Sequence, residues 1–330
     1  MSTDLSSLGN EKRVLMSVPL RPLQGRRFQP TGFPDLGAAT YQVPLEDNQS
    51  ASCLLVESPQ SMANRMELTI WDSGTNELRD FAKGLSYVRV NGSDGDYLTS
   101  SIEEAHRLNS VYIEAADKGA FHKKLKEETG FQDTRPVNRH KFLQTVFRYD
   151  CNSLLHGVFL ESVGGRLRVA RALSSFIEAD NVEVVASGGV KNDHVRPGTE
   201  SGSGKTAAEG YGNVPFPREE YTAERITAYF NFDLSQIRSY GLPEAAERLL
   251  VSLGLCKIRA LLDGDLRLRT ACDLIVDGDV DELTADQPSH FVLPSLKELQ
   301  QQVADAVAAC GNAKLFAGQN GVTTVTYSFK

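Results

Sequence analysis

The chain has 330 residues, of which 41% are hydrophobic and 24% are charged, and its formal net charge is −8. These proportions are typical of a soluble globular protein. No apolar run approaches the roughly 18 residues of a membrane span, and the polar N-terminus lacks a signal-peptide pattern, so we expect a cytoplasmic protein with no membrane partner. The five cysteines are scattered without a C-x-x-C pair, which predicts neither a disulfide framework nor a cysteine zinc site.

The first half of the chain alternates between strand and helix patterns. Ser58 and Pro59 supply an N-cap and an N1 proline after a short apolar run, which predicts a strand followed by a helix. Ser101 and Glu104 have the spacing of a capping box, and this pattern predicts a second helix. The predicted elements of this half are a strand over 53–57 and helices over 60–68, 101–108 and 138–149.

The second half of the chain shows clearer periodicity. Apolar and polar residues alternate over 226–234, which predicts a half-buried strand. The same alternation over 266–274 predicts one strand with Arg267 and Arg269 together on its polar face. The remaining predicted elements are helices over 243–262 and 295–310 and a terminal strand over 322–329. Strands and helices mixed in this way predict an α+β fold with helices on one face of a sheet.

The Gly-rich segment over 187–216 contains few large apolar residues, and we predict a flexible loop there. Its residues 202–206, Gly-Ser-Gly-Lys-Thr, match the end of a phosphate-binding P-loop. A full P-loop needs glycine where Thr199 stands, and it needs a strand before and a helix after. A nucleotide-driven enzyme using Lys205 and Thr206 is therefore the least favoured hypothesis.

Charge is distributed unevenly along the chain. Five basic and no acidic residues occur over 12–34, and eight basic residues accompany three acidic ones over 118–148. The last sixty residues reverse the balance, with eight acidic and three basic side chains. A basic surface could hold a polyanion, and oppositely charged surfaces could stack copies head to tail. Ordinary solvated faces explain the same pattern, so both interpretations stay open.

Two groups of polar residues are candidates for phosphate binding. Ser61 and Arg65 are four residues apart and share a face at the start of the predicted helix, beside Gln60 and Asn64. Free backbone N–H groups and an arginine at a helix start can seat a phosphate. The arginine pair of the predicted strand over 266–274 could hold phosphates in the same way. Simple capping and surface ion pairing remain the alternative for both groups.

Metal-binding and catalytic motifs fail on inspection. The six histidines lack the H-x-x-x-H and H-E-x-x-H spacings of zinc sites. Acidic residues at Asp277, Asp279 and Asp281 resemble the start of a calcium loop, but Glu282 stands where glycine is required and Pro288 where a bidentate glutamate is required. We therefore predict no metal site and no cofactor.

Seven blocks of sequence, in chain order, carry a resemblance to a known family. They are PTGFPDLG at 30–37, ESPQSMANR at 57–65, NSLLHG at 152–157, SGGVKND at 187–193, GNVPF at 212–216, AYFNFDL at 228–234 and LRLRTACDL at 266–274. With these blocks the chain resembles the backbone subunit of the type I-G (formerly I-U) CRISPR Cascade effector, a member of the RAMP superfamily.

The resemblance implies a fold. It is a single domain over residues 1–330 with large insertions, built on an RRM-like (ferredoxin-like) palm with inserted fingers and thumb. The loop over 187–216 would include a thumb-like segment that reaches over the RNA toward a neighbouring copy. The RNA-recognition consensus of ordinary RRM domains is absent, so aromatic stacking on the sheet is not assumed.

The resemblance implies binding rather than catalysis. Copies of the protein would form a head-to-tail filament on the guide RNA (crRNA) and present it for pairing with target DNA. Further implied partners are a large subunit, a handle-binding subunit and a recruited nuclease-helicase. The residues that we predict to contact the guide are Arg26, Arg27, Gln60, Ser61, Asn64, Arg65, Lys191, Arg267 and Arg269, followed by His106, Arg107 and Arg218.

A RAMP-type endoribonuclease is the alternative function. In this hypothesis His140, His156 or Asp193 would assist attack of a 2′-hydroxyl or water on a phosphate of guide or target RNA. Related type III effectors use a loop aspartate, so Asp35 is a further candidate. Type I effectors recruit a separate nuclease, which favours the non-catalytic hypothesis. A defined cut in the RNA would distinguish the two.

Overall fold

The structure is a computed structural model that describes residues 5–33, 37–132, 134–161, 163, 165, 167–194, 209, 211–264 and 266–329. Within these residues the chain forms eight α-helices, which are α1 (Pro59–Leu68), α2 (Val111–Ala115), α3 (Ala120–Glu128), α4 (Arg139–Tyr149), α5 (Asn152–His156), α6 (Leu234–Ser239), α7 (Glu244–Leu262) and α8 (Leu296–Asn312). In this part of the chain no helix is long and apolar enough to cross a membrane.

Eighteen strands occur in the same described residues. They are β1 (Arg13–Pro22), β2 (Gly32–Phe33), β3 (Gly37–Ala38), β4 (Thr40–Pro44), β5 (Ser50–Glu57), β6 (Trp71–Asp72), β7 (Glu77–Leu78), β8 (Tyr87–Asn91), β9 (Tyr97–Ser100), β10 (Val158–Leu160), β11 (Leu167–Val169), β12 (Leu173–Asp180), β13 (Glu183–Lys191), β14 (Val214–Thr222), β15 (Arg225–Asp233), β16 (Arg267–Arg269), β17 (Cys272–Val276) and β18 (Val322–Thr326).

The main sheet has seven strands in the order β16-β17-β1-β15-β12-β5-β4. All pairings within β17-β1-β15-β12 are antiparallel. Along the chain these four strands occur in the order β1, β12, β15, β17, with α1 between the first two and α7 between the last two. This is the βαββαβ connectivity of a ferredoxin-like fold. The predicted α+β class is therefore confirmed, and the centre of the sheet has the strand order of a ferredoxin-like palm.

Helix α7 packs closely against the buried face of this sheet. Alternate residues of β15 point toward that face, and Phe230 and Phe232 are 2% and 0% exposed. A Cβ built on Gly254 of α7 would lie 2.5 Å from Cζ of Phe232. The missing side chain at Gly254 thus lets the helix approach the sheet. Helix α1 packs beside α7 and against β12, so the two helices form one layer on the sheet.

The connection from β1 to β12 spans residues 23–172 and contains a large insertion. Its β4 and β5 form a hairpin that extends the main sheet beyond β12. A second sheet, β18-β8-β9, pairs β8 in parallel with the C-terminal strand and antiparallel with β9. Helix α8 packs on α7, so the C-terminal segment ties the insertion to the helical layer of the palm.

The two ends of the predicted loop over 187–216 belong to the two strands of one β-hairpin. Strands β13 and β14 pair along their whole length, so the loop prediction is wrong there. Gly188 and Gly189 belong to strand β13. A Cβ on Gly188 would lie 2.7 Å from the Phe216 carbonyl oxygen, and a Cβ on Gly189 would lie 2.6 Å from the Phe216 ring. These glycines accommodate a cross-strand neighbour instead of marking a turn. The P-loop-like residues 202–206 lie outside the described residues.

Two further element predictions are corrected. Residues 101–108 form turns that lead into a short 3₁₀ helix, not an α-helix. The capping box fails because the Ser101 hydroxyl accepts the Val88 backbone N–H at 3.1 Å and so caps no helix. The predicted strand over 266–274 is a hairpin, because β16 folds back on β17 through a turn at 270–271.

Candidate nucleic-acid interface

A buried carboxylate at the end of β5 holds two arginines that lie far apart in the sequence. Glu57 is 2% exposed. Arg65 of α1 donates from Nη2 to its Oε2 at 3.4 Å, and Arg269 of β16 donates to the same oxygen. We call these three residues the Glu57 cluster. Two guanidinium cations on one carboxylate leave one positive charge in excess.

Arg65 also joins α1 to β16. Its Nη1 donates to the Arg267 carbonyl oxygen at 3.3 Å, and its Nη2 donates to the Leu268 carbonyl oxygen at 2.6 Å. Arg269 donates from Nη1 to the Gln29 carbonyl oxygen at 2.9 Å. The side chains of both arginines stay 24% exposed. Each guanidinium is thus fixed in position and still reaches solvent, which lowers the entropy lost when it binds an anion.

The start of α1 lies beside this cluster. The Ser58 hydroxyl accepts the Ser61 backbone N–H at 3.3 Å, so the predicted N-cap is confirmed. Gln60 donates from Nε2 to Oδ1 of Asn64 at 3.4 Å, along the adjacent face of the helix. A phosphate seat at this helix start stays a prediction.

A second buried carboxylate repeats the arrangement at the base of the hairpin. The Glu220 side chain is 6% exposed and pairs with Arg27 at 3.2 Å between Nη1 and Oε2. Arg218 pairs with the other carboxylate oxygen. Arg27 also donates to the Ser187 hydroxyl at 3.4 Å. We call Arg27, Arg218 and Glu220 the Glu220 cluster, and it too has one positive charge in excess.

A short segment of the chain connects the two clusters. Phe28 pairs with Tyr221 of β14 through two backbone hydrogen bonds of 2.9 Å. Arg27, immediately before it, belongs to the Glu220 cluster, and Gln29, immediately after it, accepts from Arg269 of the Glu57 cluster. The clusters are therefore neighbours on one surface, separated by Phe28.

Two more arginines lie beyond the start of α1, and the sequence did not single them out. Arg171, which precedes β12, donates from Nη2 to Oε1 of Gln60. The Arg168 guanidinium carbon of β11 lies 4.7 Å from the Phe159 ring centroid. His106 lines the same cleft. Shared carboxylates join the arginines within each cluster, Gln60 on α1 contacts Arg171, and Arg168 lines the same cleft as Arg171. We call these six residues the arginine row, namely Arg218, Arg27, Arg269, Arg65, Arg171 and Arg168.

Arg107, predicted to contact RNA, forms a buried ion pair. It is 4% exposed, and Nε and Nη2 donate to the two carboxylate oxygens of Glu67 at 2.6 and 2.7 Å. Its Nη1 donates to the Gly157 carbonyl oxygen at 3.1 Å. Burial raises the pKa of Glu67, against the opposing effect of Arg107. The charge of Arg107 is therefore largely neutralised by Glu67 inside the protein, beneath the cleft that Arg171 lines.

A comparison with models of protein families identifies the family of this chain. The family described as CRISPR-associated protein GSU0053 matches residues 14–184, just over half of the chain. The chain belongs to this family. The matched residues include the Glu57 carboxylate, helix α1 and the cleft with Arg168 and Arg171, whereas the hairpin strand β14 and strand β16 lie outside the match.

Other comparisons add little to the family assignment. A solved structure titled "CRISPR RNA-guided surveillance complex, pre-nicking" contains a similar chain, with 12% sequence identity, 80% of this chain and 75% of that chain covered, and a TM-score of 0.36. This similarity is too low to support a conclusion about fold or function. The search of curated proteins found no match to this chain.

The other predicted contact residues occupy different parts of the surface. Arg26 lines a cleft beside the Glu220 cluster. Arg267 is exposed on β16, next to the Glu57 cluster. Lys191 is exposed at the outer end of β13, where it pairs with Val214 in the strand register. The structure therefore brings most of the predicted arginines together and places Lys191 apart from them on the hairpin.

The residues of the alternative nuclease hypothesis lie on three separate elements. His140 is exposed on α4 and its Nε2 lies 2.8 Å from Nε2 of Gln144. His156 is buried at the end of α5 beside Lys257. Asp193 follows β13 and accepts the Gly212 backbone N–H at 3.1 Å. Asp35 lies outside the described residues.

Proposed function

We propose that this protein is the guide-RNA-binding backbone subunit of a Cascade-type CRISPR interference complex of type I-G. The observation that carries the proposal is the arginine row, which crosses the end of the ferredoxin-like sheet and the start of α1. Membership of a CRISPR-associated family supports it, and so do the seven sequence blocks. In this function the chain binds RNA and catalyses no reaction.

The arginine row suits a grip on the RNA backbone that does not depend on base sequence. Arginine binds phosphate oxygens through a planar fork of N–H donors. Glu57 and Glu220 hold their arginines in place yet neutralise only one cation each, so every cluster keeps a net positive charge. Contacts to phosphates position a strand without reading it, which leaves the bases free to pair with target DNA.

Assembly on the guide follows from the same proposal. Several copies bind one crRNA head to tail, and the β13–β14 hairpin serves as the thumb that reaches the next copy. The large subunit and the handle-binding subunit complete the complex, and a separate nuclease-helicase acts on target DNA after pairing. The acidic C-terminal sixty residues contribute the opposite charge that stacking of copies requires.

The test mixes the purified chain with type I-G guide RNAs of three spacer lengths. Complexes are sized by chromatography with light scattering, and the recovered RNA is run on a denaturing gel. We expect intact RNA whose number of bound copies rises with spacer length. A defined cut in the RNA would replace the proposal with the endoribonuclease, and failure to bind any guide at low salt would overturn both.

A pair of variants tests the phosphate grip within the same experiment. Arg65→Ala and Arg27→Ala each remove one guanidinium of a cluster, and we expect each to weaken guide binding about tenfold and equally for two unrelated spacers. Arg225→Ala is the matched control, because Arg225 is exposed and pairs with Asp180 rather than with a residue of either cluster. A loss confined to one spacer sequence would contradict phosphate contact.

A further inference from the structure

The cleft beyond the start of α1 has the composition of an anion site. It encloses about 420 Å³ and lies where the 105–109 turn, the end of α5 and the β10–β11 hairpin meet Gln60. Its charged and imidazole-bearing lining residues are His106, Arg107, His156, Glu161, Arg168 and Arg171. Three of these side chains are arginines and one is a carboxylate.

The positive charge of the cleft is only partly compensated. Arg107 is neutralised by Glu67, as described above. Arg171 donates to a neutral amide, Gln60, and Arg168 lies over an aromatic ring. Burial, followed by the neighbouring Arg107 cation, lowers the pKa of Arg171 against the opposing effect of Glu67.

Two buried donors in the cleft wall have no partner among the described residues. One is Nε of Arg171, and the other is Nδ1 of His156, a residue that is 1% exposed. The Lys257 ammonium lies 2.9 Å from Nε2 of His156 and can only donate, so Nε2 accepts and Nδ1 carries the proton. Buried donors without acceptors are costly, and an anion bound within hydrogen-bond reach of them would offset that cost.

The floor of the cleft is closely packed. Gly157, with φ +82°, ends α5, and a Cβ there would lie 3.0 Å from the Val169 carbonyl oxygen and 3.2 Å from the Arg171 backbone nitrogen. The Gly157 carbonyl oxygen also accepts from Arg107. The backbone that presents Arg171 is therefore packed directly against the backbone that presents His156, and the cleft is formed before any ligand arrives.

We propose that this cleft binds one phosphate group of an RNA strand, through Arg168 and Arg171. The inference rests on the proposed function and extends it, because neither arginine nor the cleft was predicted from the sequence. Continuity with the arginine row favours RNA as the source of the phosphate: Gln60, bound to Arg171, lies on the same helix as Arg65. A strand that follows the row from the Glu57 cluster over the start of α1 reaches the cleft next.

The test measures anisotropy of a fluorescein-labelled, mixed-sequence single-stranded RNA bound to the full chain between 50 and 300 mM salt. For single strands, the slope of log K against log salt changes by about 0.7 for each phosphate contact. We expect Arg168→Ala and Arg171→Ala to weaken binding about tenfold and to make the slope shallower by about 0.7. Arg171→Lys, which keeps the charge, retains the slope.

The matched control is Arg225→Ala, which changes net charge equally; Arg225 of β15 pairs with Asp180, at the end of β12 opposite to Arg171. It should leave affinity and slope at the wild-type values.

Arg168 is exposed, so its variant tests the cleft even where Arg171→Ala unfolds, and thermal melting reports folding for each. Wild-type affinity and slope in a folded Arg168→Ala variant would overturn the cleft proposal alone. A wild-type chain that binds no RNA would overturn the proposed function as well, and competition by free inorganic phosphate at millimolar concentration would identify a small-anion site instead.

Discussion

At the scale of single residues, each buried cation beneath the cleft has hydrogen-bond acceptors around it. Glu67 holds Arg107, and Lys257 donates to Asn152 Oδ1 at 2.6 Å and contacts His156. Burial lowers the pKa of Lys257 to about 8. A buried cation needs acceptors around it, so His156 must supply an unprotonated nitrogen to Lys257. The imidazole is therefore a structural acceptor rather than an acid or base available to a substrate.

This role makes stability depend on pH. Burial, followed by the Lys257, Arg107 and Arg171 cations, lowers the pKa of His156 well below its usual range. Below the unfolded-state pKa of about 6.5, the unfolded chain binds a proton at His156 that the folded chain does not bind, so stability falls as pH falls. Between pH 7.5 and pH 5 this one group lowers the free energy of unfolding by about 2 kcal/mol.

Urea unfolding at pH 7.5 and pH 5 measures the effect, with His156→Gln as the comparison. Glutamine keeps an oxygen acceptor for Lys257 and cannot be protonated. We expect the wild-type chain to lose about 2 kcal/mol more than His156→Gln between the two pH values. An equal loss in both proteins would show that His156 is protonated in the folded state.

At the scale of elements, local signals in the sequence predict those parts that local interactions stabilise. Helices α1, α4 and α8 begin at Ser58, Asn138 and Ser295, whose side chains accept backbone N–H groups, and their extents were predicted within a few residues. The β13–β14 hairpin was missed because Gly188 and Gly189 have the composition of a loop. The requirement for glycine there comes from Phe216 on the opposite strand, and a single sequence does not show strand register.

The contact between α7 and the sheet gives an element-scale prediction. Alanine normally stabilises a helix relative to glycine by about 1 kcal/mol. At Gly254 the added methyl would lie 2.5 Å from the Phe232 ring, which is fully buried, so the ring or the helix would have to shift. We expect Gly254→Ala to lower the free energy of unfolding by about 1–3 kcal/mol, because overpacking outweighs helix propensity.

Gly311 of α8 is the matched control for this prediction. A Cβ built there meets no atom within 4 Å, and the residue is the second to last of the helix. Gly311→Ala should therefore raise the free energy of unfolding, by up to about 1 kcal/mol. Both variants are compared with wild type by urea unfolding. A neutral or stabilising Gly254→Ala would show that α7 shifts to accept the methyl, so that the helix is not held at a fixed distance from the sheet.

At the scale of the whole molecule, contacts between residues far apart in the sequence determine the strand order and the side-chain clusters, which sequence patterns do not predict. The contact between Gln60 and Arg171 joins residues 111 positions apart, and that between Arg65 and Leu268 joins residues 203 apart. Periodicity predicts single strands and helices, but the order of the palm strands depends on connections of up to 150 residues. The Glu57 and Glu220 clusters and the cleft were therefore outside the reach of pattern analysis, although several of their arginines were predicted as RNA contacts.

The projecting hairpin gives a prediction for the assembled protein. A two-stranded ribbon is marginally stable alone, and apolar side chains on it gain stability when another surface covers them. Val184 and Val190 are 57% and 55% exposed, and six positions apart they share one face of β13. In the proposed filament this face packs on the next copy. We expect the double variant Val184→Thr, Val190→Thr to bind a short RNA with wild-type affinity and to load fewer copies on a long guide.

Threonine keeps the shape and strand preference of valine, so the hairpin itself should persist. Val111→Thr is the control, because Val111 is 67% exposed at the start of α2, away from the hairpin. Light scattering of complexes on a guide long enough for several copies gives the number bound, and anisotropy on a short RNA gives the affinity of one copy. Reduced copy number with unchanged single-copy affinity would assign the hairpin to contacts between copies. Equal loss in both measurements would instead assign this face of β13 to the RNA, and the neighbouring copy would then have to dock elsewhere on the palm.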